Sequence, residues 1–314
     1  MLRLLSVRLL AMVPLLLIVS FLIYSLIALV PGGPEVALAG SNPTPERIQA
    51  IREQLGLDVP FLVQYWNWLT DALQGDLGNS FVDGQSIWSA VAAGFPVTLS
   101  LVVLTLLIAA VLGLALGLAA GLRPGTWIDR LSTVTASAFM SLPYFWVGMM
   151  LVLIFAIQLR TLPAVGYVPF AESPLDWFGH LVLPAFSLAI VPTAVVARQT
   201  RAAVISVMQE DYIRTARAKG LHPGRLVVKH VLKNAAVPVV TAFGVEANRL
   251  LGATVVIEQL FALPGVGKLA YFAVFSRDFP MVQGILLITA VLIMLVNLAV
   301  DLSYGYFNPK VKVS

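Results

Sequence analysis

Apolar residues run in blocks along this chain, interrupted by short polar stretches. Residues 9–30, 95–122, 131–159 and 281–300 contain no Asp, Glu, Lys or Arg. Block 178–197 carries only His180, and block 235–257 carries Glu246 and Arg249. Each is long enough to cross a hydrocarbon core, which needs about 20 apolar residues. Backbone groups in lipid must be satisfied internally, so the pattern predicts six transmembrane helices and an all-α membrane protein. A barrel would show shorter, alternating segments. The first block resembles a signal peptide in its basic start (Arg3, Arg8) and in Ala37-Leu38-Ala39, but its apolar run exceeds the usual core, and it reads as a retained span.

Two short helices are predicted in the polar segment between the first two blocks. Thr44 is placed to cap one that starts at Pro45 and stops at Gly56, and Asp58 to cap another that ends at Gly75. The second puts Phe61, Leu62, Tyr65, Trp66, Leu69 and Leu73 on one broad face, suited either to the membrane interface or to packing on neighbouring spans. Gly113, Gly117 and Gly121 recur every four residues and leave a groove for close helix contact, within the bundle or with a partner.

Composition sharpens this picture. The 314 residues are 59% hydrophobic and 11% charged, and there is no cysteine, which removes disulfides, thiolate metal sites and Cys nucleophiles. The 20 Lys and Arg residues are not spread evenly. Arg3, Arg8, Arg123, Arg130, Arg198, Arg201, Arg214, Arg217, Lys219, Arg225, Lys229, Lys233, Lys310 and Lys312 fall on one side of a six-span topology, while Arg47, Arg52, Arg160, Lys268 and Arg277 fall on the other with most of the acidic residues, including Glu35, Glu46, Glu53, Asp58, Asp71, Asp76 and Asp83. The positive-inside rule then places both termini in the cytoplasm. The basic balance is a topology signal, since no basic patch interleaved with aromatics marks nucleic-acid binding.

Candidate chemistry is sparse. "LPGVGKL" (263–269) mimics a phosphate loop, but Ala262 replaces its first Gly and Leu269 its Ser/Thr. Gly265 and Gly267 read instead as a tight turn. His180, His222 and His230 lack ligand-spaced partners, and nothing resembles a nucleophile set, so no active site, metal or cofactor is expected in this chain. Glu246 and Arg249 share a helix face within a span, as a pathway lining or as a structural pair.

"EDYIRTARAKG" (210–220) carries five charges in eleven residues. Glu210 and Asp211 lie at its start, and Arg217 and Lys219 at its end, matching a helix dipole. Gly220 is placed as a left-handed stop, and Ala216, Ala218 and Gly220 leave room for a partner to approach the backbone.

Here the chain resembles the permease subunits of binding-protein-dependent ABC importers, in the dipeptide/oligopeptide/nickel branch. The residues Tyr212, Arg214, Thr215, Ala216, Arg217, Ala218, Lys219 and Gly220 fit that branch's "Y-x-R-T-A-R-A-K-G". Arg214 stands where the wider superfamily has Glu, and Thr215 where it has the first Ala. "LVPGGP", "REQLGLDVPFLVQYWNWL", "GDLGNSF", "SLPYFWVGMML", "HLVLPAFSLAI", "VIEQLFALPGVGKL", "RDFPMVQG" and "NLAVDLSYGYFNPK" follow in the family's order over nearly the whole chain.

The resemblance implies a six-span type I importer permease. Residues 1–94 would form the first span and external segment, 95–307 a five-helix core with a cytoplasmic coupling loop at 198–234, and 308–314 a tail. It implies a second homologous permease, an external binding protein and two cytoplasmic ATPases that hold the ATP and magnesium. Residues 210–220 would be the coupling helix seated in an ATPase cleft. The implied cargo is a short peptide, with nickel, glutathione or haem as alternatives. An ion-coupled secondary transporter using Glu246 and Arg249 and a non-transporting membrane scaffold are the rivals from other classes; no internal repeat of the kind such transporters carry is evident.

Overall fold

The computed structural model describes residues 2–28, 33–39, 44–54 and 56–307. The tail at 308–314, with Lys310 and Lys312, and residues 29–32 of "LVPGGP" lie outside them. The described chain is helical apart from loops and one isolated bridge between Asn79 and Ser86. In order, its helices are α1 (Leu2–Ala28), α2 (Gly33–Ala39), α3 (Pro45–Gln54), α4 (Phe61–Leu73), α5 (Ile87–Leu122), α6 (Trp127–Ser141), α7 (Tyr144–Leu151), α8 (Pro174–Met208), α9 (Asp211–Ala218), α10 (Pro223–Leu226), α11 (Leu232–Leu260), α12 (Val266–Phe275) and α13 (Phe279–Phe307). Wider π-helical turns extend α7 over Val152–Gln158 and join α10 to α11 over Val227–Val231.

Five of these segments are long and apolar enough to span a membrane: α1, α5, α8, the continuous run Pro223–Leu260, and α13. The block at 131–159 is not one straight span. Pro143 lacks an N–H and drives Leu142 to an extended conformation (φ −87°, ψ 128°), so α6 and the α7 segment meet at 97°. Counted as one bent span, they bring the total to six. The helices also outrun the apolar blocks: α5 begins at Ile87, and α8 continues to Met208, well inside the segment expected as a loop from 198.

α5 lies along α8, and their contact organises the core. With lipid as solvent, helices gain little from hydrophobicity and associate by close van der Waals packing. Gly113, Gly117 and Gly121 supply that closeness. A Cβ on Gly117 would lie 2.6 Å from the Thr200 Cβ, and one on Gly113 or Gly121 2.8 Å from the Val196 or Val204 Cβ. The glycine groove is therefore filled from within this chain. Leu101, Leu181, Leu188, Ile257 and Phe261 fill the adjoining core against α11.

Among the described residues, the segment between α1 and α5 holds three helices, where two are expected from sequence. Thr44 does accept from the Arg47 N–H at 3.3 Å at the start of α3, and Gly56 and Gly75 take φ of +65° and +88°. Asp58 does not cap α4. Pro60 opens that helix with its carbonyl accepting from Val63 and Gln64, and Asp58 faces Arg52 at 3.6 Å. The broad apolar face of α4 divides. Tyr65 hydrogen-bonds to Ser20 at 2.9 Å and, with Phe61, packs edge-on against Phe21 of α1. Leu62, Trp66 and Leu73 remain exposed.

Two buried carboxylates fasten the loops. Asp278 accepts from the Ser80 hydroxyl at 2.5 Å and the Phe81 N–H at 3.1 Å, tying the polar segment to the start of α13. Glu258, fully buried, accepts from the Thr98 hydroxyl at 2.7 Å and from the Lys268 N–H at 2.9 Å. The expected turn at Gly265 and Gly267 moves accordingly. The left-handed residue is Ala262 (φ 54°); a Cβ on Gly265 would overlap the Glu258 carboxylate, and one on Gly267 would meet the Val255 backbone at 2.8 Å.

Candidate functional site

α9 lies at one end of the bundle. Its Ile213 is fully buried in a cluster with Val204 of α8, Leu226 of α10, Val231 of the π-helical turn and Ala235 of α11, against Leu118 and Leu122 at the end of α5. The other end of α5 packs Ile87 and Ala90 against Leu77 in the polar segment. At 36 residues, α5 is about 54 Å long. The short charged helix and the polar segment therefore lie at opposite ends of the molecule.

Ile213, with Ala216 half-buried one turn on, thus anchors a helix whose other residues are exposed. Glu210, Asp211, Tyr212, Arg214, Thr215, Arg217, Lys219 and Gly220 are all exposed. Asp211 makes a solvated contact with Arg214 at 3.5 Å, of the kind that adds little stability. The Thr215 hydroxyl turns back on the Asp211 carbonyl at 3.0 Å, and Arg217 reaches the Met208 sulfur at 3.5 Å. Partial burial, then the adjacent Glu210 charge, push the Tyr212 hydroxyl above its ordinary pKa.

The helix end is sharply defined. The Leu221 N–H donates to the Ala216 carbonyl at 3.2 Å and the Gly220 N–H to the Arg217 carbonyl at 2.9 Å, with Gly220 at φ +75°. This paired arrangement is a Schellman stop, which satisfies carbonyls that the helix leaves over. The small-residue patch needs correction. Ala216 is half-buried against the chain's own cluster, one turn from Ile213, so only Ala218 and Gly220 are open to a partner.

Glu246 and Arg249 do pair, Arg249 Nη1 donating to Glu246 Oε1 at 2.8 Å. They are not both turned inward. The Glu246 side chain is 2% exposed and that of Arg249 66%, so a buried carboxylate holds an outward guanidinium. Arg249 belongs to an exposed stripe of α11 with Val245, Gly252, Val256 and Gln259. His180, His222 and His230 remain apart, and among the described residues no three His, Asp or Glu side chains converge as a metal site.

Glu258 and Asp278 were not singled out from sequence. Each stands just beyond an apolar block, where a carboxylate looks like an ordinary polar boundary. The one sequence signal is local: Gly265, seven residues after Glu258, makes room for its carboxylate. The buried Asp129, hydrogen-bonded through both oxygens to Arg201, was likewise indistinguishable from a surface charge.

Known proteins extend this reading. The family described as binding-protein-dependent transport system inner membrane component matches residues 113–313, and its N-terminal counterpart matches residues 1–102. The chain is 39% identical over 300 residues to a protein of Brucella abortus (strain 2308) named as a peptide transport system permease, covering 96% of both chains. It is 38% identical over 305 residues to the glutathione transport system permease protein of Escherichia coli (strain K12), covering 97% of both. Among solved structures it resembles an inward-facing methionine ABC transporter, with a TM-score of 0.54 and 19% identity over 69% of this chain and 96% of that one. An amino acid ABC transporter matches with a TM-score of 0.51 and 18% identity, covering 69% and 94%. At these identities the structural likeness concerns the fold.

Proposed function

We propose a role in peptide import from one premise: this chain belongs to the binding-protein-dependent transport system inner membrane components. It is a membrane-spanning permease subunit of an ABC importer, a multi-pass protein of the plasma membrane. Such a permease works with an ATPase and a substrate-binding protein. The finer reading is that the chain is itself non-catalytic, pairs with a second homologous permease, and couples to two cytoplasmic ATPases that hold the ATP and magnesium. Short peptides are the cargo; the relatives named above for peptides and for glutathione, itself a tripeptide, support that class over nickel or haem.

One observation carries the coupling role: α9 is anchored by Ile213 with Ala216 beside it, stopped by Gly220, and exposed along its charged face. A rigid, protruding helix transmits displacement, because α5, α8 and α11 all meet at the cluster beneath it. Closure of the ATPases against α9 would thereby reach three spans at once. With both termini in the cytoplasm, α9 faces the ATPases and the polar segment faces the binding protein. Arg249, held by Glu246, lies on the exposed stripe of α11, where it would line the pathway or serve as the structural partner of that carboxylate.

The test is a pull-down of the ATPase from detergent extract beside a blot of this chain and a peptide-uptake assay. Gly220→Asp and Ala218→Asp change only exposed positions, so the chain should reach the membrane at near-normal abundance while ATPase recovery and uptake fall together. Normal recovery and uptake with both variants would remove the coupling role from α9.

A further inference from the structure

α4 belongs to the polar segment, yet it crosses α1 below the end of that span. The apolar run of α1 is Ser6–Leu26. The Tyr65 hydroxyl of α4 hydrogen-bonds to that of Ser20 at 2.9 Å and donates to the Leu17 carbonyl at 3.3 Å. Ser20 lies about 9 Å short of Leu26 along the helix axis, and Tyr24 about 3 Å short. The Tyr24 ring meets those of Phe61, Tyr65 and Trp68 at centroid distances of 5.5, 5.8 and 5.4 Å. One side chain of α1 thus touches successive turns of α4, so α4 runs across α1 and not along it. An amphipathic helix lying in a membrane interface sinks its apolar face about 5–10 Å into the boundary of headgroups and acyl chains, and α4 sits at that level.

The helical period divides α4 into three faces. Phe61, Tyr65 and Trp68 meet α1. Gln64, Asn67 and Asp71 turn toward Glu35, Arg52 and Asp76 across a cavity whose charges belong in water. Leu62, Trp66 and Leu73 form the third face, on the side away from those polar groups, and are 67%, 62% and 79% exposed. A contiguous apolar face of this kind marks a membrane or protein contact. Two observations favour the membrane. α4 crosses α1 within its apolar run, and the face of α1 that meets α4 continues beneath it through Val13 and Leu10, which stand seven residues before Ser20 and Leu17 and are exposed at 55% and 73%. Tryptophan is also the side chain that settles at the headgroup level.

We propose that α4 is a membrane-interface helix, with Leu62, Trp66 and Leu73 lying among the headgroups and upper acyl chains of the leaflet on the polar-segment side. That face is continuous with the lipid-facing surface of α1 at Val13 and Leu10, and it holds the polar segment down on the bilayer while Asn67 and Asp71 stay in water. The inference needs only that the chain spans a membrane; it does not depend on the cargo or on α9.

The experiment uses the full chain with its partner subunits in nanodiscs of phosphatidylethanolamine and phosphatidylglycerol. The chain has no cysteine, so Leu62→Cys, Leu73→Cys, Asp71→Cys and Val13→Cys each carry a single NBD fluorophore. All four positions are exposed, so the label displaces nothing in the core. Quenching by a phosphatidylcholine with a doxyl group beside its headgroup is compared with quenching by aqueous iodide. Labels at Leu62 and Leu73 should be quenched at least threefold more strongly by the doxyl lipid, and the label at Asp71 more strongly by iodide. The Val13 label, deeper in the span, should respond best to a doxyl group far down the acyl chain. Iodide quenching at Leu62 and Leu73 to the extent seen at Asp71 would place this face in water. Shielding of both from lipid and iodide alike would place a partner subunit over it. Either result would overturn the interface helix.

Discussion

Thr98 and Glu258, 160 residues apart in sequence, form one buried cap for α12. The Thr98 hydroxyl donates to Glu258 at 2.7 Å and accepts from the Val266 N–H at 2.9 Å, while the other Glu258 oxygen accepts from the Lys268 N–H. A carboxylate at a helix N-terminus is favoured by the dipole and by charge-assisted bonds. It also joins α5, α11 and α12. Glu258→Leu should strand a hydroxyl and a backbone N–H, at about 1–3 kcal/mol for each buried group left unsatisfied. A clear fall in the melting temperature of the detergent-solubilised chain is expected, with Glu258→Gln intermediate because its carbonyl still accepts one bond. A Leu variant that melts with wild type would refute the cap.

The α5–α8 contact predicts opposite outcomes for two glycines. At Gly117 even a methyl group meets Thr200 at 2.6 Å, and overpacking of this kind costs about 1–3 kcal/mol. Gly252 of α11 has nothing within 4 Å of its would-be Cβ, so alanine there should be neutral or stabilising by up to about 1 kcal/mol. Fluorescence-detected size exclusion after a heating series would rank Gly117→Ala below wild type and Gly252→Ala at or above it. The reverse order would contradict the packing.

The Glu246–Arg249 pair is asymmetric, and so are its variants. Removing Arg249 leaves a buried carboxylate without its counter-charge, at a cost of order 3–5 kcal/mol. Removing Glu246 leaves an arginine that already faces outward. Arg249→Ala should therefore lower membrane abundance more than Glu246→Ala, and the double variant should recover part of the loss. Equal abundance of all three would place no structural weight on the pair.

Orientation is open to direct labelling. Val82 is exposed in the polar segment and Arg217 on α9, at opposite ends of α5. With no native cysteine to interfere, Val82→Cys should react with an impermeant thiol reagent in intact cells and Arg217→Cys only after lysis. Reversed labelling would invert the topology and remove α9 from the ATPase side.

Elements that depend on one-dimensional chemistry are legible along the chain. Apolar blocks must be helices in lipid, Gly220 must end α9 because a left-handed turn follows, and the glycines at 113, 117 and 121 must face something closely packed. Even the bend at Leu142–Pro143 was written there, since proline denies the preceding residue a helical conformation, but an uninterrupted apolar run concealed it. What each face meets is set by the folded arrangement. It turned the glycine groove toward Val196 and Thr200 rather than a partner, directed Ala216 inward beside Ile213, buried Glu246 while leaving Arg249 outside, and brought Thr98 to Glu258. The physical reason is common to all four. Spacing along a helix fixes which residues share a face, whereas the environment of that face depends on helices distant in sequence, and a carboxylate's cost or benefit depends on the donors they deliver.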